Sequence, residues 1–189
     1  SVFRNTSTPG VASFATKLEF TAGAGTSGLS IGDLNGDGKI DIVASNYNSM
    51  DISLFTNTTT GATITFASKI DIPTWDVMPA SGFINPLGVA INDINGDGKP
   101  DIAVANFSTS SVALFRNTTT GTTPTFVRQM LTTGLTAPRE LAIGDMDRDG
   151  KPELVVSDEA GAKVLVYLNT SPVSGAFTFC WPVSAGTAA

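Results

Sequence analysis

Three short stretches of this chain repeat one pattern of oxygen-bearing side chains. Asp or Asn occupies the first, third and fifth positions, glycine the sixth, and an acid the ninth. The stretches cover residues 33–41, 93–101 and 145–153. In chain order, the candidate metal ligands are Asp33, Asn35, Asp37, Lys39, Asp41, Asp93, Asn95, Asp97, Lys99, Asp101, Asp145, Asp147, Asp149, Lys151 and Glu153.

The pattern suits a hard cation. Calcium takes about 6–8 oxygen ligands, and alternating residues of a tightly curled loop can direct their oxygens inward. Glycine at the sixth position permits the sharp turn, because it has no Cβ to oppose a positive φ. The lysine at the seventh position would contribute its backbone carbonyl and turn its ammonium group toward solvent. Three such loops in register predict three calcium sites.

Two alternatives explain part of the pattern. Asn-Gly-Asp-Gly is ordinary turn chemistry between strands, but a turn gives no reason for an acid to recur at the ninth position. An EF-hand loop begins in the same way, but it needs a glutamate at position twelve and a helix on each side. Position twelve is Ala44, Val104 and Val156, within apolar, β-branched runs that are typical of strands. The sequence therefore favours calcium loops between β-strands.

The composition is that of an all-β protein whose acidity is concentrated in these loops. Hydrophobic residues make up 41% of the 189 residues and charged ones 15%. Ten of the 17 acids lie in the three stretches, so the net charge of −6 reflects metal ligation rather than a basic partner. Nucleic acid is therefore not an expected partner, and no apolar run is long enough to span a bilayer.

The residue types present argue against an enzyme. The chain has no His, which removes the usual general base, and its single Cys180 excludes an internal disulfide. Acids outside the loops are few, and Asp158-Glu159 resembles a solvated turn. Free calcium is scarce in cytosol, so an extracellular or cell-surface location is expected. The chain opens on Ser1 rather than Met, which indicates a processed or excised chain.

The three loops are offset by 60 and then 52 residues, and two further motifs recur with them. One is an aromatic residue followed by any residue, Asn and Thr, at 3–6, 55–58, 115–118 and 167–170. The other follows a Thr- and Gly-rich turn and begins at Phe14, Phe66, Phe126 and Phe177. Each repeat thus reads as four strands: one ends at the loop, one leaves it, and each of the other two carries one motif. Four short antiparallel strands every 50 or so residues predict the blade of a β-propeller.

We expect one repeat domain over residues 1–189. It divides into an outer half-blade at 1–26, a blade at 27–84 with an insert at 73–85, a blade at 85–134, and a blade with a C-terminal tail at 135–189. Propellers have about 4–8 blades, so about three and a half blades predict an incomplete ring. Missing blades of a longer chain, or other copies of this chain adding strands to unpaired edges, would complete it. The simplest alternative is a hairpin at 1–20 that only caps the first repeat.

The repeats resemble the FG-GAP/VCBS family, known from integrin α-subunit propellers and many bacterial surface proteins. The resemblance covers nearly the whole chain and is most specific in the Asp-x-Asn/Asp-x-Asp-Gly-x-x-Asp/Glu loops between strands. The Phe-Gly and Gly-Ala-Pro motifs are not intact, and Thr136-Ala137-Pro138 is a partial match. The chain is therefore more similar to the VCBS branch than to integrins. The resemblance implies calcium-binding propeller blades.

The expected function is that of an extracellular, calcium-binding structural or adhesive module that self-assembles through unpaired edge strands. One alternative is a carbohydrate-binding, lectin-like propeller module that uses the insert and its Trp75. Another is the propeller portion of a polysaccharide-active enzyme. Besides other copies or missing blades, glycans or a surface protein are the expected partners.

Five Asn-x-Ser/Thr sequons have two interpretations. They are either glycosylation sites of a glycoprotein or strand-end chemistry repeated with each blade, and the second is favoured. The sequons are at Asn5, Asn57, Asn106, Asn117 and Asn169.

Overall fold

The computed structural model describes residues 1–80, 82–180 and 183–185. Ser81, residues 181–182 and the end of the predicted C-terminal tail, 186–189, lie outside the described residues. The strands are β1 (Thr26–Gly32), β2 (Asp41–Asn46), β3 (Asp51–Phe55), β4 (Ile70–Pro73), β5 (Pro86–Asn92), β6 (Asp101–Asn106), β7 (Ser111–Asn117), β8 (Phe126–Leu131), β9 (Pro138–Gly144), β10 (Glu153–Asp158), β11 (Lys163–Tyr167) and β12 (Val183–Ala185). A short 3-10 helix, Phe107–Thr109, lies between β6 and β7.

The strands form three antiparallel sheets, each built from four consecutive strands. The first sheet runs from β1 to β4, the second from β5 to β8 and the third from β9 to β12. This confirms the prediction of an all-β chain of four-stranded repeats. β6 begins at Asp101, the ninth residue of its loop, and ends at Asn106. β1 begins at Thr26, because its pairing with β2 continues past the apolar residues as far as Asn46.

The fourth strand begins later than expected in the first and third sheets. Phe66 and Phe179 make only isolated bridges, to Asn57 and Asn169 respectively. β4 and β12 start a few residues farther along the chain. The motif Phe thus closes the turn after the third strand, and the regular strand follows it.

The assignment of Phe177 as the last repeat's counterpart of Phe126 is wrong. Phe126 packs edge-on against Phe115, with ring centroids 6.4 Å apart. In the third sheet it is Phe179 that packs edge-on against Tyr167, also at 6.4 Å. One additional residue in the preceding turn shifts the register, so Phe177 instead enters the core at 2% exposure.

Two apolar clusters hold the sheets face to face, and β5 contacts both β1 and β9. The cluster between the first and second sheets contains Leu34, Val43, Ile52, Leu54, Val89, Ile102, Val104, Ala113 and Phe115. The cluster between the second and third contains Ile94, Ala103, Val112, Leu114, Leu135, Leu154, Val156, Leu165, Tyr167 and Phe177. Each sheet therefore depends on a neighbour to bury its apolar side chains, as in other stacked-repeat proteins.

Two glycines allow the sheets to approach closely at their first strands. A Cβ added at Gly28 would lie 2.3 Å from the carbonyl oxygen of Leu87, and one at Gly88 would lie 2.8 Å from that of Arg139. The residue at the corresponding position of the third sheet is Glu140. A further sheet could not pack against the third sheet in the same way, because the Glu140 side chain would meet its backbone.

Within the predicted half-blade, residues 1–20 form a hairpin joined by isolated antiparallel bridges. Its aromatic pair, Phe3 and Phe14, packs edge-on at 6.5 Å, as the corresponding pair does in each sheet. The hairpin therefore has the pattern of a third and fourth strand without the first two. The bridges are Val2 to Leu18, Asn5 to Phe14 and Thr8 to Val11.

Candidate metal centres

Each candidate loop joins the first strand of a sheet to the second. The glycines at the sixth position have φ between +81° and +87°, as expected for the sharp turn. The fourth position is also left-handed, with Gly36 and Gly96 in the first two loops and Arg148, at φ +67°, in the third. A residue with a Cβ pays roughly 1–2 kcal/mol for that conformation. The third loop is therefore the most strained of the three.

The first carboxylate of each loop organises the backbone around it. Asp33 accepts hydrogen bonds from the N–H groups of Gly36 and Gly38, both at 2.8 Å. Asp93 and Asp145 accept the bond from the sixth-position N–H at 2.7 and 3.1 Å. Because these bonds curl the loop, they turn the oxygens of alternate side chains toward a common centre.

The third loop brings three carboxylates together. Asp145, Asp147 and Asp149 are exposed, and each offers an oxygen within 4.8 Å of the others. In the first two loops the third position is Asn35 or Asn95, whose amide oxygen replaces one charge. Clustered carboxylate and amide oxygens fit a hard divalent cation, which would also offset the repulsion among the acids.

Two of the three seventh-position lysines do not simply extend into solvent, contrary to expectation. The Lys39 ammonium lies 3.0 Å from a carboxylate oxygen of Asp37, and this hydrogen bond lowers the pKa of Asp37. The Lys99 ammonium donates to the carbonyl oxygen of Thr119 at 2.7 Å. Both lysines thus fold back over the outer turn or the loop itself. Metal ligation by their carbonyl oxygens stays a prediction.

The ninth-position acids have a structural role that sequence reasoning missed. Asp101 is fully buried, and its two oxygens accept the N–H of Ile94, at 2.9 Å, and of Asn117, at 2.7 Å. Asp41 makes the corresponding pair of bonds, and Glu153 accepts the N–H of Met146 at 2.8 Å. Each acid ties the start of its loop to the strand that leaves it. Asp101 also reaches the third strand, and Asp41 reaches Asn57, just after the third strand.

Burial shifts the protonation of these acids. Removal from water raises the pKa of Asp101 to about 6, against an ordinary 3.8, and the nearby Asp97 and Asp93 add to the shift, although two backbone N–H bonds oppose it. Burial also raises the pKa of Asp41. Ionised Asp101 is therefore an unfavourable charge that a cation in the loop would stabilise.

The metal-free protein is expected to lose stability as pH rises from about 4 to about 7. Because the folded pKa of Asp101 is raised, the unfolded chain releases this proton first, and the stability gained by holding it is lost as pH passes through about 6. Thermal unfolding in a chelator across this range measures the effect. Added calcium should flatten the profile, and a melting temperature that rises with pH in chelator would contradict the assignment.

The first two loops are clamped by the sheet that follows. The carbonyl oxygen of Leu34 accepts a hydrogen bond from the Asn117 amide at 2.9 Å, and that of Ile94 accepts one from Asn169 at 2.7 Å. Leu34 and Ile94 are each 1% exposed, whereas their counterpart Met146 is 63% exposed. The conformation of the first two loops is therefore coupled to sheet packing, and the third loop has no such cover among the described residues.

The sequons support the strand-end interpretation. The Asn oxygen of each aromatic-x-Asn-Thr motif accepts the N–H two residues later, at 2.8–2.9 Å. Asn117 and Asn169 are almost completely buried, and each amide donates two hydrogen bonds to backbone carbonyls. Asn106 is also buried. A glycan at these three positions would not be compatible with the folded chain.

The sequence context of Asp158 predicted a solvated turn residue, and this prediction is wrong. It is 1% exposed and accepts hydrogen bonds from the Thr136 hydroxyl and the Ala137 N–H, both at 2.7 Å. Burial pushes its pKa upward, but these bonds and a longer one from Gly161 outweigh burial, so the pKa lies below its usual value. Asp158 fastens the segment that enters the third sheet.

The insert of the first repeat is held to the second sheet. Arg128 donates to the carbonyl oxygen of Pro73 at 2.7 Å and forms an ion pair with Asp76. Trp75 is half-buried, while Phe83 is 61% exposed. The sugar-binding alternative for this insert stays a prediction.

Comparison with known proteins identifies a repeat family. A family model for the FG-GAP-like repeat matches residues 33–104 and 93–156. Each match begins at one candidate loop and ends in the strand that leaves the next loop, β6 or β10. No curated protein matches the chain. In the part of the chain that the structure describes, no helix has the length and apolarity needed to cross a membrane.

Proposed function

Because the chain belongs to the FG-GAP-like repeat family, we propose that it is a calcium-binding structural module of propeller-type blades in an incomplete ring. One cation in each loop would tie the first strand of a sheet to the second. The observation that carries the proposal is the convergence of three carboxylates in the third loop, within 4.8 Å of one another. In the first two loops, as in the third, the leading acid accepts a hydrogen bond from the sixth-position N–H.

The ligands would be the side chains at the first, third and fifth positions, with the seventh carbonyl and the ninth acid completing the set. Bound calcium would supply positive charge where the loop concentrates negative charge. The chain's own groups hold the loop in shape: backbone N–H groups orient the leading acid, and the ninth acid anchors the loop to its sheet. The gain on binding is then a gain in folding free energy.

An extracellular, structural or adhesive role fits weak calcium loops, which fill at the calcium concentrations found outside cells. The acids outside the loops support a scaffold rather than an enzyme. Several are engaged in surface ion pairs, such as Glu19 with Lys17 and Glu159 with Arg139, and Asp158 is held by backbone and hydroxyl donors.

Removal of calcium is expected to lower the melting temperature. At a free calcium concentration ten times the dissociation constant, each loop would contribute about 1.4 kcal/mol. Thermal unfolding with excess chelator and with millimolar calcium measures the difference at constant ionic strength, with magnesium as the matched control. Identical melting curves in chelator and calcium would refute calcium as a stabiliser of this fold.

Single changes at the fifth position separate the three sites. Asp37→Ala, Asp97→Ala or Asp149→Ala should each remove one calcium equivalent in a titration and leave the other two. The loss of stabilisation should appear in calcium and nearly vanish in chelator, because these side chains contribute little buried surface.

A further inference from the structure

One face of the first sheet is open where the same face of the second sheet is covered. Leu29 and Ile31 of β1 are 61% and 62% exposed. Their counterparts 60 residues later, Val89 and Ile91 of β5, pack into the cluster between the first two sheets, and Val89 is only 9% exposed. We call this apolar surface the open face; it comprises Leu29, Ile31, Ile40 and Ile42.

The covered face of the second sheet shows what is missing. There, Leu34 from the first metal loop and Val43 of β2 supply the inner part of the cover, and β3 supplies the outer part. Over the open face, the described residues supply only the outer part of such a cover. Phe20, after the N-terminal hairpin, packs against Phe55 and Phe66, with ring centroids 6.3 and 4.9 Å apart. An apolar groove of about 650 Å³ remains between the hairpin and β1.

A side-chain amide on the first sheet also makes one hydrogen bond fewer than its counterparts in the described part of the chain. Asn117 and Asn169 each donate one amide hydrogen within their own sheet and the other to the second residue of the preceding metal loop. Asn57 is their counterpart in the first sheet. It donates to the carbonyl oxygen of Ile40 at 2.9 Å and has no second acceptor in the described part of the chain.

The N-terminal hairpin has a matching unpaired edge. In the second sheet, the N–H of Asn117 donates to Asp101, the ninth residue of its own loop, at 2.7 Å. The corresponding N–H of Asn5 has no acceptor among the described residues. The alternate residues Val2 and Arg4 are paired with the other strand of the hairpin, so the edge that carries Asn5 faces away from it.

We propose that the open face is the docking site of a two-stranded β-hairpin that carries a metal loop of this chain's own kind. The docked hairpin forms the first and second strands of a sheet whose third and fourth strands are residues 1–20. Its apolar second loop residue covers Leu29 and Ile31, and the carbonyl of that residue accepts from Asn57. Its ninth acid accepts the N–H of Asn5. The partner is thus specified by three contacts rather than by apolarity alone.

The third sheet of a second copy does not meet this specification. Its Glu140 stands where Gly28 and Gly88 allow close approach, so its side chain would collide with the backbone of β1. Its own third and fourth strands would also occupy the space held by residues 1–20. The favoured occupant is therefore a hairpin without outer strands.

The test extends the full chain with a copy of residues 26–52 placed directly before Ser1. By the repeat offsets this supplies β1, the first loop and β2 in register with the N-terminal hairpin. The melting temperature should rise by at least about 5 °C at fixed calcium. Amide hydrogen exchange at Asn5 should slow by about a hundredfold or more, since its N–H becomes buried and bonded.

A matched extension with Leu34→Ser in the copied segment keeps length and loop but removes the covering side chain, and it should lose most of the gain. Equal gains from both extensions, or no change in melting temperature and Asn5 exchange, overturn the proposal. The mass of the unextended chain in solution tests the other occupant. A multimer that Leu29→Asp converts to monomers would assign the open face to a second copy and overturn the proposal as well.

Discussion

Asp101→Ala is expected to destabilise the protein by about 4 kcal/mol even when all metal has been removed. The change leaves two buried N–H groups, of Ile94 and Asn117, without an acceptor. Each such loss costs about 1–3 kcal/mol, and the vacated space adds to it. Chemical denaturation in chelator at about pH 5, where Asp101 holds its proton, measures the loss without the cost of the buried charge.

The matched control is Asp97→Ala, in the same loop. Asp97 is half-buried and accepts the N–H of Lys99 at 3.0 Å, but it links no strands. In chelator its removal should cost less than about 1 kcal/mol, whereas in calcium it should abolish one site. If both variants behaved alike in chelator, the ninth acid would be only a metal ligand and its structural role would be refuted.

The repeat signals in the sequence were sufficient to predict the strands and the loops between them. The alternation of oxygen-bearing residues around Gly38, Gly98 and Gly150 is a local property, because the loop closes on its own backbone. The apolar, β-branched runs on either side allow only strands. For this reason a strand precedes and follows each loop, as predicted.

The roles of Asp101 and Asp158 depend on contacts that the sequence does not specify locally. Asp101 binds an N–H that lies 16 residues away, on the third strand, and Asp158 binds one that lies 21 residues away. Sequence alone therefore assigned Asp101 to the metal and Asp158 to solvent. The recurrence of an acid at the ninth position was a usable signal of burial. However, a buried structural acid and a metal ligand would both recur at this position, so the sequence does not distinguish them.

The contrast between the first two loops and the third also arises only from packing. Leu34, Ile94 and Met146 are similar apolar residues at the same position, yet the first two are 1% exposed and the last 63%. Their environment is set by whether another sheet follows. The three loops are thus chemically similar but energetically unequal, since in the described part of the chain only the first two are coupled to a following sheet by hydrogen bonds and burial.

Asn117→Ala tests this coupling between a loop and the following sheet, and it is expected to lower the free energy of unfolding by about 3 kcal/mol. The side chain donates to Leu34 and Pro100, both at 2.9 Å, and accepts the N–H of Thr119 at 2.9 Å. With Asn117 at 1% exposure, water cannot readily replace these bonds, so each removed partner leaves a poorly solvated backbone group. Equilibrium denaturation measures the loss.

The same variant should weaken calcium binding to the first loop, because Leu34 is that loop's second residue, and leave the third loop unchanged. Asn57→Ala is the matched control. Asn57 occupies the same position in its motif as Asn117 but makes no bond to a preceding loop in the described part of the chain, so its removal should lower the free energy of unfolding by about half as much. A calcium titration with site-resolved NMR distinguishes the loops. Equal losses for the two variants, with unchanged affinity at the first loop, would show that the loops bind independently of the sheets that follow them.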